Sequence, residues 1–258
     1  MNKIRFLYSI LLLSFLGFAQ QKSADSLMQI LGKTKNDIDR ANVLNAISDC
    51  YKVVDPKKMD IYGNQALDLA KKINYTIAQG NAYLNLGNSK IIEGDYKAAT
   101  NYFQQAQEIF ENESPTPNTK DEIASGLAKS YGSIGIVLSE QSNYAKALQF
   151  YLKSVKIYEK LGQKRFVAAN LNNIANLYKD TKQFQKAFEK HQEALKIRTS
   201  LNDEKGILES FVGIGNVHIA LKNNDSAKVY YEKSLVFYLV LISLFVALYK
   251  FIYVYIKK

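Results

Sequence analysis

Residues 83–106 read YLNLGNSKIIEGDYKAATNYFQQA, two short segments separated by a glycine and an aspartate. Tyr83, Leu86 and Gly87 precede the break at Gly94, and Tyr96, Ala99, Phe103 and Ala106 follow it. Large, small and aromatic residues alternate at helical spacing, so each segment forms a helix with one apolar stripe. The small residues let the two helix axes approach closely. A single hairpin of this kind has nothing on which to bury its stripe.

The rest of the chain supplies the missing surface. Leu171, Ile174, Ala175, Tyr178, Phe184, Ala187, His191 and Ala194 repeat the pattern. Ile47, Gly87, Gly135, Ala175 and Gly215, read as closing the first helix of each copy, are spaced 40, 48, 40 and 40 residues apart. Such regularity predicts stacked hairpins that share a continuous core.

This constellation resembles the tetratricopeptide repeat, in its longer variant of about 40 residues per unit. The resemblance implies an all-α, right-handed solenoid of about five helix-turn-helix repeats. They are expected over residues 41–234, as 41–76, 78–111, 125–162, 165–202 and 205–234, after a helical run-in over 20–40. The end copies are atypical. Copy one has Asp55 and Pro56 where others carry a polar residue and an aromatic, and copy five has Asn224 in the aromatic slot. Terminal copies of a solenoid have one face without a repeat neighbour, which relaxes the pattern. The long spacing in the middle comes from NESPTPNTKD, residues 112–121, whose Pro115 and Pro117 predict an exposed loop insertion.

Both termini carry membrane signals. Lys3 and Arg5 precede an apolar run from Phe6 to Phe18, with Gly17 and Ala19 as small residues, which predicts a signal peptide over 1–19. An uncleaved anchor is the alternative, although the run is shorter than the ~20 residues of a span. At the other end Leu235 to Tyr249 is uncharged, and Lys250 interrupts an apolar stretch that continues to Ile256. A helix over 235–256 would span about 33 Å and cross a bilayer, with Tyr249, Tyr253 and Tyr255 at its interface. Lys257 and Lys258 then mark a cytoplasmic tail, which places the repeats outside the membrane. With no glycine or proline after Gly215, the last repeat helix is expected to run into the span as one rod.

The formal charge of +10 does not indicate nucleic acid. Five of the 34 basic residues belong to the membrane segments, and the remainder stand against 24 acidic ones on helix faces. Cys50 is the lone cysteine, so no disulfide is expected. His191 and His218 fall in aromatic slots, Gly213 and Gly215 lie inside a helix pattern with no strand before them, and no paired histidines or nucleophile motif accompany them. We expect no enzyme activity, no cofactor and no metal.

What remains is the inner surface, which the resemblance implies is built from the first helix of every hairpin. Asn45, Asn85 and Asn173 fall at one slot, and Asn88, Asn176 and Asn216 three residues further on, so both columns share a helix face. Asn172 and Lys179 flank them, while Ser133 and Ile136 break both columns in copy three. An asparagine amide donates and accepts at once, which suits reading the backbone of an extended peptide. The alternative is that these amides bond to neighbouring helices or water. The expected partners are thus a protein or peptide in the concave groove and the membrane through 235–256.

The stretch from Asp25 to Ser48 looks like the run-in before such repeats in exported regions of bacterial membrane-bound sensors. That resemblance implies the order signal peptide, repeats, span and cytoplasmic output domain, and this sequence follows it as far as the span. The expectation is the sensing half of a signal-transduction protein without its output domain. A structural adaptor that scaffolds an envelope or secretion complex is the alternative.

Overall fold

The computed structural model describes residues 23–52 and 55–236, and among them every regular element is an α-helix. The chain divides into two compact units, the first ending at Gln141 and the second beginning at Ser142. The first holds α1 (23–33), α2 (Asp37–Cys50), α3 (Pro56–Lys72), α4 (Thr76–Glu93), α5 (Tyr96–Asn112) and α6 (Lys120–Glu140). The second holds α7 (Tyr144–Lys160), α8 (Lys164–Asp180), α9 (Phe184–Ser200), α10 (Glu204–Ala220) and α11 (224–236).

In the first unit, consecutive helices from α2 to α6 pack on one another, and α4 also touches α2 and α6. Contact between alternate helices is what stacks one hairpin on the next. The cores follow this order: Leu44, Ala66, Leu67, Ala82 and Leu86 form one cluster, and Ala24 of α1 joins Ile47, Tyr51 and Met59 in another. The small residues read as closing the first helix lie inside it instead. Gly87 sits within α4, where an added Cβ would stand 2.4 Å from the Phe103 ring of α5, so its role is close approach.

The first copy begins earlier than expected. α2 starts at Asp37, inside the predicted run-in, because the Asn36 side chain accepts hydrogen bonds from the backbone N–H of Ile38 and Asp39 at 2.9 and 3.1 Å. The irregular pair in copy one is a helix start: Asp55 accepts from the Lys58 N–H at 3.1 Å, and Pro56 occupies the first helical position, where no N–H is needed. The insertion is also shorter as a loop than its sequence suggests. Only residues 113–119 lie outside helices, and α6 takes up the rest by starting early, reaching 21 residues against the 17 of α8.

In the second unit, α7 packs on α8, α8 on α9, α9 on α10, and α8 also on α10. Its turns are tight. The N–H of Gln183 bonds to Tyr178 O at 2.7 Å, that of Asp203 to Arg198 O at 2.9 Å, and that of Asn223 to His218 O at 2.9 Å. The preceding residues Lys182, Asn202 and Lys222 are left-handed, with φ of 59°, 50° and 58°. This is the Schellman ending, which satisfies the last helix carbonyls and reverses the chain.

Among the described residues no helix is long and apolar enough to cross a membrane. The signal peptide expected at 1–19 lies outside the described residues, as does the span expected at 235–256 apart from Leu235 and Val236, the last residues of α11.

Candidate functional site

The seven asparagines and one lysine singled out in the sequence separate into two groups. In the first unit, Asn45 and Asn85 are buried. The Asn45 amide donates to Ala78 O at 3.0 Å, and Asn85 donates to Asn45 O at 2.9 Å. These two amides therefore bind α2 to α4, each meeting a backbone carbonyl that burial has cut off from water. Asn88, three residues beyond Asn85, is half-buried on α4. In the second unit, Asn173 is half-buried on α8, and Lys179 is ion-paired with Asp180.

The remaining three asparagines come together. Asn172 and Asn176 on α8 and Asn216 on α10 line a cleft of about 390 Å³ between these first helices. Residues four apart share a helix face, so Asn172 and Asn176 lie side by side on α8, as Leu208, Val212 and Asn216 do on α10. Lys205 and Glu209 supply a charge of each sign, and Gly213 lies at the base. Gly213 occupies the slot that Asn45 and Asn85 fill in earlier copies.

The polar cleft residues are held from behind by the second helices. His191 of α9 is fully buried, and its Nδ1 lies 2.7 Å from Asn172 Oδ1. An amide oxygen only accepts, so Nδ1 carries the proton and donates it. The ring rests on Gly213, where a Cβ would stand 2.3 Å from Cε1. Burial, then the positive charges of Arg198 and Lys179, push His191 down to about 4 from its ordinary 6.5, so it is neutral at physiological pH.

Arg198 is 3% exposed at a slot where the preceding copies have Phe110 and Tyr158. Its guanidinium donates to Gly206 O at 2.7 Å, Ser210 Oγ at 2.9 Å and Glu209 Oε2 at 3.0 Å. Gly206 leaves room for the guanidinium, since a Cβ there would lie 2.7 Å from Arg198 Cδ and Nε. On α11 the Tyr231 hydroxyl donates to Asn216 Oδ1 at 2.7 Å. Asn172, Glu209 and Asn216 thus each have one oxygen fixed by a donor from a second helix.

Spacing found three of the cleft residues and missed Lys205, Leu208, Glu209 and Val212. Arg198 carried a signal of its own, a charge at a slot that is aromatic in the two copies before it. His218 is used for packing, stacked on Tyr230 at 5.5 Å and edge-on to Phe188 at 5.7 Å. A larger cleft of about 470 Å³ in the first unit lies within the α4–α5 hairpin and holds none of the expected residues. Among the described residues no cluster of histidine, cysteine, aspartate and glutamate could hold a metal ion.

Comparison with known proteins places the fold. Family models of the tetratricopeptide repeat match residues 80–113, 127–161 and 166–238, together more than half of the chain. No curated protein matches the sequence. Among solved structures, BtubC (BKLC) from P. vanneervenii is similar at a TM-score of 0.61 and 16% identity, covering 89% of this chain and 92% of that one. A Rap protein complexed with competence and sporulation factor is similar at a TM-score of 0.66 and 13% identity, covering 93% and 74%. A signal-transduction ATPase of Pyrococcus horikoshii, with a tetratricopeptide repeat sensor, is similar at 0.61 and 16% identity, covering 83% of this chain and 33% of that one. At these identities the likeness is one of fold. The chain belongs to the tetratricopeptide repeat family.

Proposed function

We propose that this protein is a membrane-tethered, exported interaction module that binds an extended peptide, or a peptide segment of a partner protein, in the cleft between α8 and α10. The observation that carries the reading is the convergence of Asn172, Asn176 and Asn216 on one cleft with an apolar wall of Leu208 and Val212. Side-chain amides meet main-chain groups whatever the peptide sequence, and the apolar wall and the charges of Lys205 and Glu209 select among side chains. The Rap neighbour was solved in complex with competence and sporulation factor, and the Pyrococcus horikoshii neighbour carries a tetratricopeptide repeat sensor, which favours reception of a signal over a passive scaffold.

The membrane half of the proposal rests on the apolar sequences of 1–19 and 235–256. α11 runs to Val236, so a continuous helix into the span would couple the last repeat to the bilayer. A green fluorescent protein fused after Lys258 should fluoresce in cells while protease added to spheroplasts removes the repeats. Repeats that survive the protease would refute this orientation.

Binding is tested with hexapeptides selected from a random library on the full chain and measured by fluorescence anisotropy. Replacing Asn172, Asn176 and Asn216 together by alanine should weaken the selected peptides by more than about tenfold. Unchanged affinity would remove the cleft as the binding site.

A further inference from the structure

Two of the three cleft amides are not free to present either face to a ligand. Asn172 Oδ1 is taken by His191 Nδ1–H at 2.7 Å, and Asn216 Oδ1 by the Tyr231 hydroxyl at 2.7 Å. An amide anchored through its oxygen is fixed in its flip and has its NH₂ left to donate. Here the anchors belong to α9 and α11, and neither lines the cleft.

Resting on the peptide-binding reading, we infer that His191 and Tyr231 are positioning residues that set the polarity of the cleft, so that Asn172 and Asn216 offer N–H donors and the ligand meets them with main-chain carbonyl oxygens.

Packing alone does not explain His191. The corresponding slot holds Phe103 in copy two and Tyr151 in copy three, and both rings are buried there. In copy four the buried imidazole leaves Nε2 without a hydrogen-bond partner among the described residues. A phenylalanine would fill the slot without that cost, and what it lacks is the donor to Asn172. Gly213 strengthens the point, since its missing side chain is what allows the ring to lie under the cleft. His191 stays neutral with its single proton on Nδ1 because burial and the charges of Arg198 and Lys179 oppose a second one. Arg198 does the same work on Glu209 Oε2, fixing the carboxylate from the buried side.

The amide orientation can be read without any ligand, on the full chain labelled with asparagine carrying ¹³C at the side-chain carbonyl, with N172A and N216A assigning the signals. A carbonyl that loses its donor moves upfield. H191F should shift Asn172 and not Asn216, and Y231F should shift Asn216 and not Asn172. H191N, which keeps an N–H near the place of Nδ1, should leave Asn172 close to its wild-type position. Signals that stay in place in H191F and Y231F overturn the inference.

The consequence for binding is read with the selected hexapeptides. H191F should weaken them about tenfold in the wild-type background and have no further effect in N172A, because it acts only through that amide. Equal weakening in both backgrounds would make His191 a merely structural residue and overturn the inference. Should no hexapeptide bind while the carbonyl signals move as expected, the positioning would stand and the peptide-binding reading would fall.

Discussion

The two units use the same repeat slots for different purposes. In the first, the ring slots of the second helix hold Phe103 and Phe110, both buried, and the aligned amides Asn45 and Asn85 bond to backbone carbonyls between α2 and α4. In the second, α7 keeps buried rings in these slots, Tyr151 and Tyr158, but α9 holds His191 and Arg198 there, and the polar atoms of these two side chains reach through to Asn172 and Glu209 at the cleft. A slot that packs on α5 and α7 becomes an anchor on α9. Buried donors are expensive to keep, and Arg198 holds a buried guanidinium against a Glu209 that is itself 47% exposed, where an apolar side chain would need no partner. The second unit therefore carries polar groups that packing does not require, and it is the unit in which we propose the peptide cleft.

The strongest way to challenge this contrast is at Phe110. Cβ atoms added at Gly80 and Gly126 would stand 2.6 and 2.3 Å from its ring, so two helices close onto it and cannot collapse into the space it would leave. Phe110→Ala should destabilise the first unit by ~3–5 kcal/mol in urea denaturation and leave peptide affinity unchanged. A loss below ~1 kcal/mol would mean that this slot is not a packing position.

The next effect depends on pH. The folded chain holds His191 down to about 4, against 6.5 when exposed. Between these values the unfolded chain binds a proton that the folded chain refuses, so stability is complete above 6.5 and is lost as the pH falls toward about 4. The slope is ~1.4 kcal/mol per pH unit within that window. Denaturation of wild type and His191→Phe across the window should show this extra slope in the wild type only, since the carboxylates are common to both. Parallel curves would mean that the imidazole is not buried neutral.

Much of the architecture was legible because a repeat multiplies its own signal. Gly87 against Phe103 and Gly215 against Tyr231 are the close approaches that the small and aromatic columns indicated. The turns were less legible, since Lys182 and Lys222 take left-handed conformations that a sequence reader assigns to glycine or asparagine. The site was harder still. Spacing places residues on a helix face, but that face is shared between the adjoining helix and solvent, and the adjoining helix decides the division. Asn85 and Asn88 lie on one face of α4, yet Asn85 is 7% exposed and spent on α2. The anchors at His191, Arg198 and Tyr231 come from other helices and have no fixed offset from the residues they hold.

The finest test separates two asparagines that the sequence treats alike. Asn85→Ala leaves the buried carbonyl of Asn45 without its donor and should cost ~1–3 kcal/mol in urea denaturation, with selected peptides still bound. Asn176 is half-buried at the edge of an open cleft, so Asn176→Ala should change stability by no more than ~0.5 kcal/mol while peptide affinity falls. The two substitutions remove the same atoms from the same kind of helix. If both lowered stability equally, amides on this face would be general helix glue, and the cleft would owe nothing to Asn176. If only Asn176→Ala lowered affinity, the division of labour would follow from burial alone, because what differs between the sites is whether a neighbouring helix or a ligand completes the amide.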